Sequence, residues 1–95
     1  MKLVSVKKSD RDGKKYVAEF LLDTGRTKTI HFGASGFTDY TLNATDEQRD
    51  HYLTRHRSED WNNPTTAGSL SRWILWGNSH SLQTNITAFK RRFHL

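Results

Sequence analysis

The stretch His31-Phe32-Gly33-Ala34-Ser35-Gly36-Phe37-Thr38-Asp39-Tyr40-Thr41 (HFGASGFTDYT) is where the chain changes its pattern. Before it, apolar residues recur at every second position. After it, they recur at every third or fourth. The first spacing is that of a strand and the second that of a helix, so the stretch reads as a junction between a sheet and a helical part. Phe32 completes the apolar face of the last strand. Gly33 and Gly36 let the backbone leave the sheet through conformations that side chains resist. Asp39 offers a carboxylate to free turn N–H groups, and Phe37 and Tyr40 stand where they would pin the exit against the helices. A phosphate-cradling loop would need a helix starting directly behind the glycines and a basic residue inside the loop. Neither is present, and the spacing matches neither a P-loop nor a dinucleotide fingerprint.

Toward the N-terminus, three alternating runs precede the junction. Leu3-Val4-Ser5-Val6-Lys7 puts Val4 and Val6 on one face. In Tyr16–Leu22, Tyr16, Ala18, Phe20 and Leu22 share a face opposite Val17, Glu19 and Leu21. In Thr27–Phe32, Ile30 and Phe32 oppose Thr29 and His31. Turns rich in Asp and Gly, Ser9–Gly13 and Asp23–Gly25, separate the runs. The reading is a three-stranded antiparallel meander.

Toward the C-terminus the reading is helical. Thr45-Asp46-Glu47-Gln48 is a capping-box pattern, with acidic residues at the positive end of a helix that reaches about His56. Asn63 followed by Pro64 reads as an N-cap and first helical position, with Gly77 as the C-cap of a central helix through Trp73-Ile74-Leu75-Trp76. A last helix starts near Ser81, with Leu82, Ile86, Phe89 and Phe93 in one stripe. The fold class is therefore α+β: an N-terminal three-stranded antiparallel meander followed by three short helices packed on one face. The chain reads as a single domain, 1–95, with the sheet in 1–33, the junction loop in 34–44 and the helical part in 45–95.

The 95 residues carry 15 Lys and Arg against 10 Asp and Glu, a net charge of +5, and contain no cysteine. Lack of cysteine excludes a disulfide framework, a thiolate zinc site and a cysteine nucleophile. The first residues do not form a signal peptide, and no run is long and apolar enough to span a membrane. The expectation is a protein that is neither secreted nor membrane-bound. The positive surplus favours an acidic partner, nucleic acid above all.

The segments KKYVAEF, HFGASGFTDYT, YLTRH, EDWNNPTTAGSLSRWILWG and FKRRFHL, in this order, give the chain a resemblance over almost its whole length. It resembles a family of small basic uncharacterised proteins encoded by large double-stranded DNA viruses of algae and protists. Two segments depart from the pattern: LLDTGRTKT makes a longer turn, and LNATDEQRD is less basic. The resemblance implies a viral origin and a place in the virion or in the host-cell interior, cytoplasm or nucleus. It implies no catalytic residues.

The five histidines, His31, His51, His56, His80 and His94, are scattered and lack metal-protease spacing. The carboxylates all have cap or turn positions available, and no serine sits in a nucleophile elbow. No catalytic residue, metal ligand or cofactor is assigned. The basic residues are more informative. Lys7, Lys8, Lys14 and Lys15 gather at one hairpin end, Arg55 and Arg57 close the first long helix, and Lys90, Arg91 and Arg92 close the last. These are the candidate phosphate contacts. His31, Phe37, Tyr40 and Trp61 are candidate partner contacts. The functional expectation is a non-catalytic protein binding DNA through phosphates with little sequence specificity. A structural virion protein, a minor capsid or internal component meeting acidic faces of its neighbours, is the alternative. A metal-dependent nuclease is the second alternative.

Overall fold

The computed structural model describes all residues, 1–95. Strands β1 (Lys2–Lys8), β2 (Lys14–Leu21) and β3 (Thr27–Ala34) form an antiparallel sheet in the order β1-β2-β3. Ala18, Phe20 and Phe32 are fully buried on the face that meets the helices. The first strand does not alternate as its sequence suggests. Leu3 pairs with Phe20 and Ser5 with Glu19, so Val4 forms a bulge. The extra residue resets the pleat: Leu3 and Val6 point to the core and Val4 is exposed. Val4 and Val6 therefore do not share a face.

Gly33 adopts a φ of +81° inside β3, not at its exit: Ala34 beyond it still pairs with Lys14 and the Ser35 N–H donates to the Gly13 carbonyl, so the chain leaves the sheet only after Ala34. A Cβ on Gly33 would lie 2.8 Å from Leu75 Cδ1 and 3.2 Å from Lys15 Cβ, so the position requires both the conformation and the missing side chain. A single 3₁₀ turn, Tyr40–Leu42, follows. Asp39 caps it, its Oδ1 accepting from the Thr41 N–H at 2.8 Å. Of the two rings expected to pin this exit, only Tyr40 does so. It is half-buried, stacked on the His80 ring with centroids 3.9 Å apart. Phe37 is 72% exposed.

Helix α1 (Asp46–Arg55) starts with the full capping box: Thr45 Oγ1 accepts from the Gln48 N–H, and Gln48 Oε1 accepts from the Thr45 N–H. Its buried residue Tyr52 stacks on Trp76, centroids 4.6 Å apart and planes 7° from parallel. Arg49, one turn earlier, donates from Nε to the Trp76 and Gly77 carbonyls at 3.2 and 3.0 Å. These contacts fasten a helix with little apolar surface of its own.

The central helix begins one turn later than its Asn-Pro sequence suggests. Asn63 Oδ1 accepts from the Thr65 N–H and hydroxyl, forming a local Asx turn. Thr66 is the N-cap, accepting from the Ser69 N–H, and α2 covers Ala67–Leu70. It continues into a π-helical turn, Ser71–Leu75, where the Trp76 N–H donates to the Ser71 carbonyl. Gly77 is not a left-handed C-cap. A Cβ there would run into the Trp73 carbonyl and lie 2.7 Å from Asn85 Cγ. The glycine is needed for close packing. Asn85 fills the adjoining space, donating to the Ile74 and Ser79 carbonyls and accepting from the Ser79 N–H.

Helix α3 (Leu82–Phe93) begins at the N-cap Ser81. Leu82, Ile86, Phe89 and Phe93 all pack toward the core. The helical part thus covers one face of the sheet, giving the α+β fold. No helix is long and apolar enough to cross a membrane.

Candidate functional site

An open groove of about 830 Å³ lies where the end of the sheet meets α1 and α2. Its sheet wall is Lys14, Lys15 and Gly33. The junction contributes Phe37 and Asp39, α1 contributes His51, Tyr52 and Arg55, and the segment after α1 contributes His56 and Glu59. The Tyr52–Trp76 stack forms part of the floor, and the His56 ring stacks on the other side of Tyr52 at 4.4 Å.

The charges in the groove are unequal in their commitments. Asp39, 1% exposed, accepts from Lys15 Nζ at 2.5 Å, and the Lys15 side chain is itself only 12% exposed. Asp39 also accepts from the Thr41 hydroxyl. This pair is a strut between β2 and the junction. Glu59 accepts from His56 Nδ1, and its other carboxylate oxygen lies against Gly68 at the start of α2. Asp39 therefore has a cationic partner, and Glu59 a hydrogen-bonding one. Lys14 and Arg55 are exposed and have no ion-pair partner. Burial, reinforced by the Glu59 charge, raises the Tyr52 phenol well above its ordinary range. At the nearby turn, the Tyr40 hydroxyl donates to Asp46 at 2.6 Å, and the resulting stabilisation of the protonated phenol raises its pKa too.

Of the basic residues singled out in the sequence, the fold brings Lys14, Lys15 and Arg55 to this groove, with Lys15 held internally. Lys7 and Lys8 are exposed on β1, where they pair with Val17 and Tyr16 of β2, outside the groove lining. Arg57 is exposed beyond α1. Lys90 and Arg91 are exposed on α3, away from the groove. Arg92 belongs to a different construction. Its guanidinium sits 3.6 Å from the Trp73 ring centroid, and Arg72 lies 4.1 Å from Trp73 and 5.1 Å from Trp61. Trp61, Arg72, Trp73 and Arg92 form one cation–π ladder. Burial, helped by neighbouring Arg49, holds the Arg72 guanidinium down to about 10.

Among the other candidate contacts, Trp61 is half-buried in that ladder, and its carbonyl accepts from Trp73 Nε1. His31 is half-buried on the sheet's second face, hydrogen-bonded to Ser9 Oγ at 2.6 Å. Tyr40 is committed to His80, whose Nδ1–H donates to the Tyr40 carbonyl. Phe37 alone of the four stands free. No group of three or more histidine, aspartate or glutamate side chains converges to hold a metal ion.

Sequence reasoning did not single out Arg49, Arg72, Glu59 or Asn85 as groups of consequence. Arg72 had a usable signal in the pattern Ser71-Arg72-Trp73-Ile74, where a cation interrupts an otherwise apolar helix. Glu59 had none, because a solvated loop carboxylate and a paired one look alike in sequence.

No curated protein matches this chain, and no solved structure matches it. One family model does, over residues 4–56, a span that takes in the junction, α1 and the sheet except for Lys2 and Leu3 of β1, and with them Lys14, Phe37 and Arg55. The chain therefore belongs to the family described as "Family of unknown function (DUF5754)".

Proposed function

We propose that the protein binds nucleic acid, DNA in the first instance, through phosphate contacts with little sequence preference. The observation that carries this reading is the uneven pairing of the groove. Of its two carboxylates, Asp39 is ion-paired with Lys15 and Glu59 is hydrogen-bonded to His56, while Lys14 and Arg55 remain unpaired and exposed on its walls. An anion entering the groove meets two free cations against one carboxylate, Glu59, that has no Lys or Arg partner. The overall charge of +5 draws polyanions toward it, and the exposed Lys7 and Lys8 on the neighbouring hairpin strengthen that field. Arg55 can hold a phosphate with two parallel N–H bonds, and Lys14 can serve as a flexible point charge. The resemblance in the sequence extends the proposal to a viral accessory protein acting in the virion or the host-cell interior.

Fluorescence anisotropy with labelled DNA across a salt series tests this. The expected result is binding at about 50 mM salt, with log affinity falling linearly with log salt. Lys14→Gln with Arg55→Gln should flatten that slope by about 1.4 on a single strand or about 1.8 on a duplex, if both residues contact phosphate. No binding at about 50 mM salt, or an affinity indifferent to salt, rejects the reading.

A further inference from the structure

Phe37 is the most exposed of the large apolar side chains, at 72%, and it lines the groove that holds Lys14 and Arg55. A small domain with few apolar residues ordinarily uses its rings in the core. Here the loop that carries the ring is tied at both ends, by the Ser35 N–H donating to the Gly13 carbonyl and by Asp39. Gly36, at a φ of +84°, precedes it, and buried Asp39, tied to Lys15 and Thr41, follows two residues later. The ring is thus presented from a short loop held at its ends, in the lining of the same groove as Lys14 and Arg55.

We infer that the groove takes an unpaired base stacked on Phe37 with its phosphate on Lys14 and Arg55, so that the ligand is single-stranded nucleic acid. The inference rests on the phosphate-binding reading above. A duplex keeps its bases stacked on one another and offers this groove only backbone. A single strand offers a free base face for each phosphate, and rings interleaved with cations are what such strands bind. The size of the groove agrees. About 830 Å³ lies within the roughly 300–1,000 Å³ of small-molecule sites. Lys15 offsets the Asp39 charge, so the two free cations outnumber the one groove carboxylate, Glu59, that has no Lys or Arg partner.

The test uses a fluorescein-labelled DNA of about 12 nucleotides, single-stranded and as the matching duplex, at one fixed ionic strength. The single strand should bind at least about tenfold tighter, and Phe37→Ala should weaken it roughly 5- to 150-fold. The same variant should leave the salt slope and the duplex affinity unchanged, and Phe37→Tyr should retain single-strand binding because it keeps a ring. Thermal melting of Phe37→Ala should match the parent, since the ring buries little. Equal affinity for both forms, a preference for duplex, or a Phe37→Ala variant that binds the single strand like the parent would overturn the inference and leave the phosphate-binding proposal standing. Binding to neither form would remove both.

Discussion

Gly33→Ala tests the junction directly, because two separable costs meet there. The first is conformational. At a φ of +81°, an L side chain is crowded against its own backbone, at a cost of about 1–2 kcal/mol. The second is packing. The new methyl would sit 2.8 Å from Leu75 Cδ1 and 3.2 Å from Lys15 Cβ. Leu75 is 2% exposed and cannot swing into solvent, and a Cβ moves only with its backbone. Overpacking of this kind costs about 1–3 kcal/mol. The sum, about 2–5 kcal/mol, corresponds to a fall in Tm of roughly 10–30 °C for a domain of this size. Gly36→Ala is the internal control. Its φ is +84°, but nothing lies within 4 Å of the new Cβ, so only the conformational cost applies. Urea denaturation of both variants, with slopes compared to the parent, separates the two costs. Equal losses, or a larger loss for Gly36→Ala, would refute the claim that Leu75 and Lys15 close over Gly33. A domain of this length holds about 5–14 kcal/mol in total, so Gly36→Ala, losing about 1–2 kcal/mol, should still fold at 25 °C, and Gly33→Ala should do so wherever the total exceeds about 5 kcal/mol. Stability should therefore fall before binding does.

Two further outcomes follow from side-chain placement. Arg92→Ala should cost about 0.5–1 kcal/mol in chemical denaturation and perturb tryptophan fluorescence, because it removes the cation over Trp73; Arg91→Ala, which touches no ring, should stay within about 0.5 kcal/mol of the parent. Equal effects would argue against the ladder. Tyr52 governs an alkaline effect. Its folded pKa lies above the ordinary value of 10, so its contribution is fully present below pH 10 and is lost as pH rises from 10 toward the raised folded value. Arg72, held down to about 10, titrates in the same region with the opposite sign. The comparison is therefore between parent and Tyr52→Phe, which share Arg72. The stability difference between them should be flat below pH 10 and shift in favour of Tyr52→Phe above it; a difference that stays constant through pH 10–12 would contradict the burial of the phenol.

The stretch from His31 to Thr41 shows how sequence and structure divide the work. Its change of period from two to the helical repeat is a local property of the chain, whereas the need for glycine at position 33, inside β3, comes from Leu75 and Lys15 closing over it as well as from its own φ. The capping box at Thr45 and the apolar stripe from Leu82 to Phe93 are local in the same sense. Each depends on residues within one or two turns of one another, so each was legible without a fold. The bulge at Val4 was not legible, because a register is a relation between two strands. The late start of α2 was not legible either, because Asn63 could bond forward to Thr65 as readily as it could cap a helix.

Sequence by itself determined the element order, the sheet-to-helix junction and the positive surplus, since all three follow from composition and short-range periodicity. Tertiary structure decided which charges are free. Lys14 and Lys15 are neighbours in sequence, yet one is exposed and unpaired while the other is held against Asp39. Arg91 and Arg92 part in the same way, one solvated and one laid on Trp73. The physical reason is that a charge is defined by what lies within a few ångströms of it, and those neighbours come from distant parts of the chain.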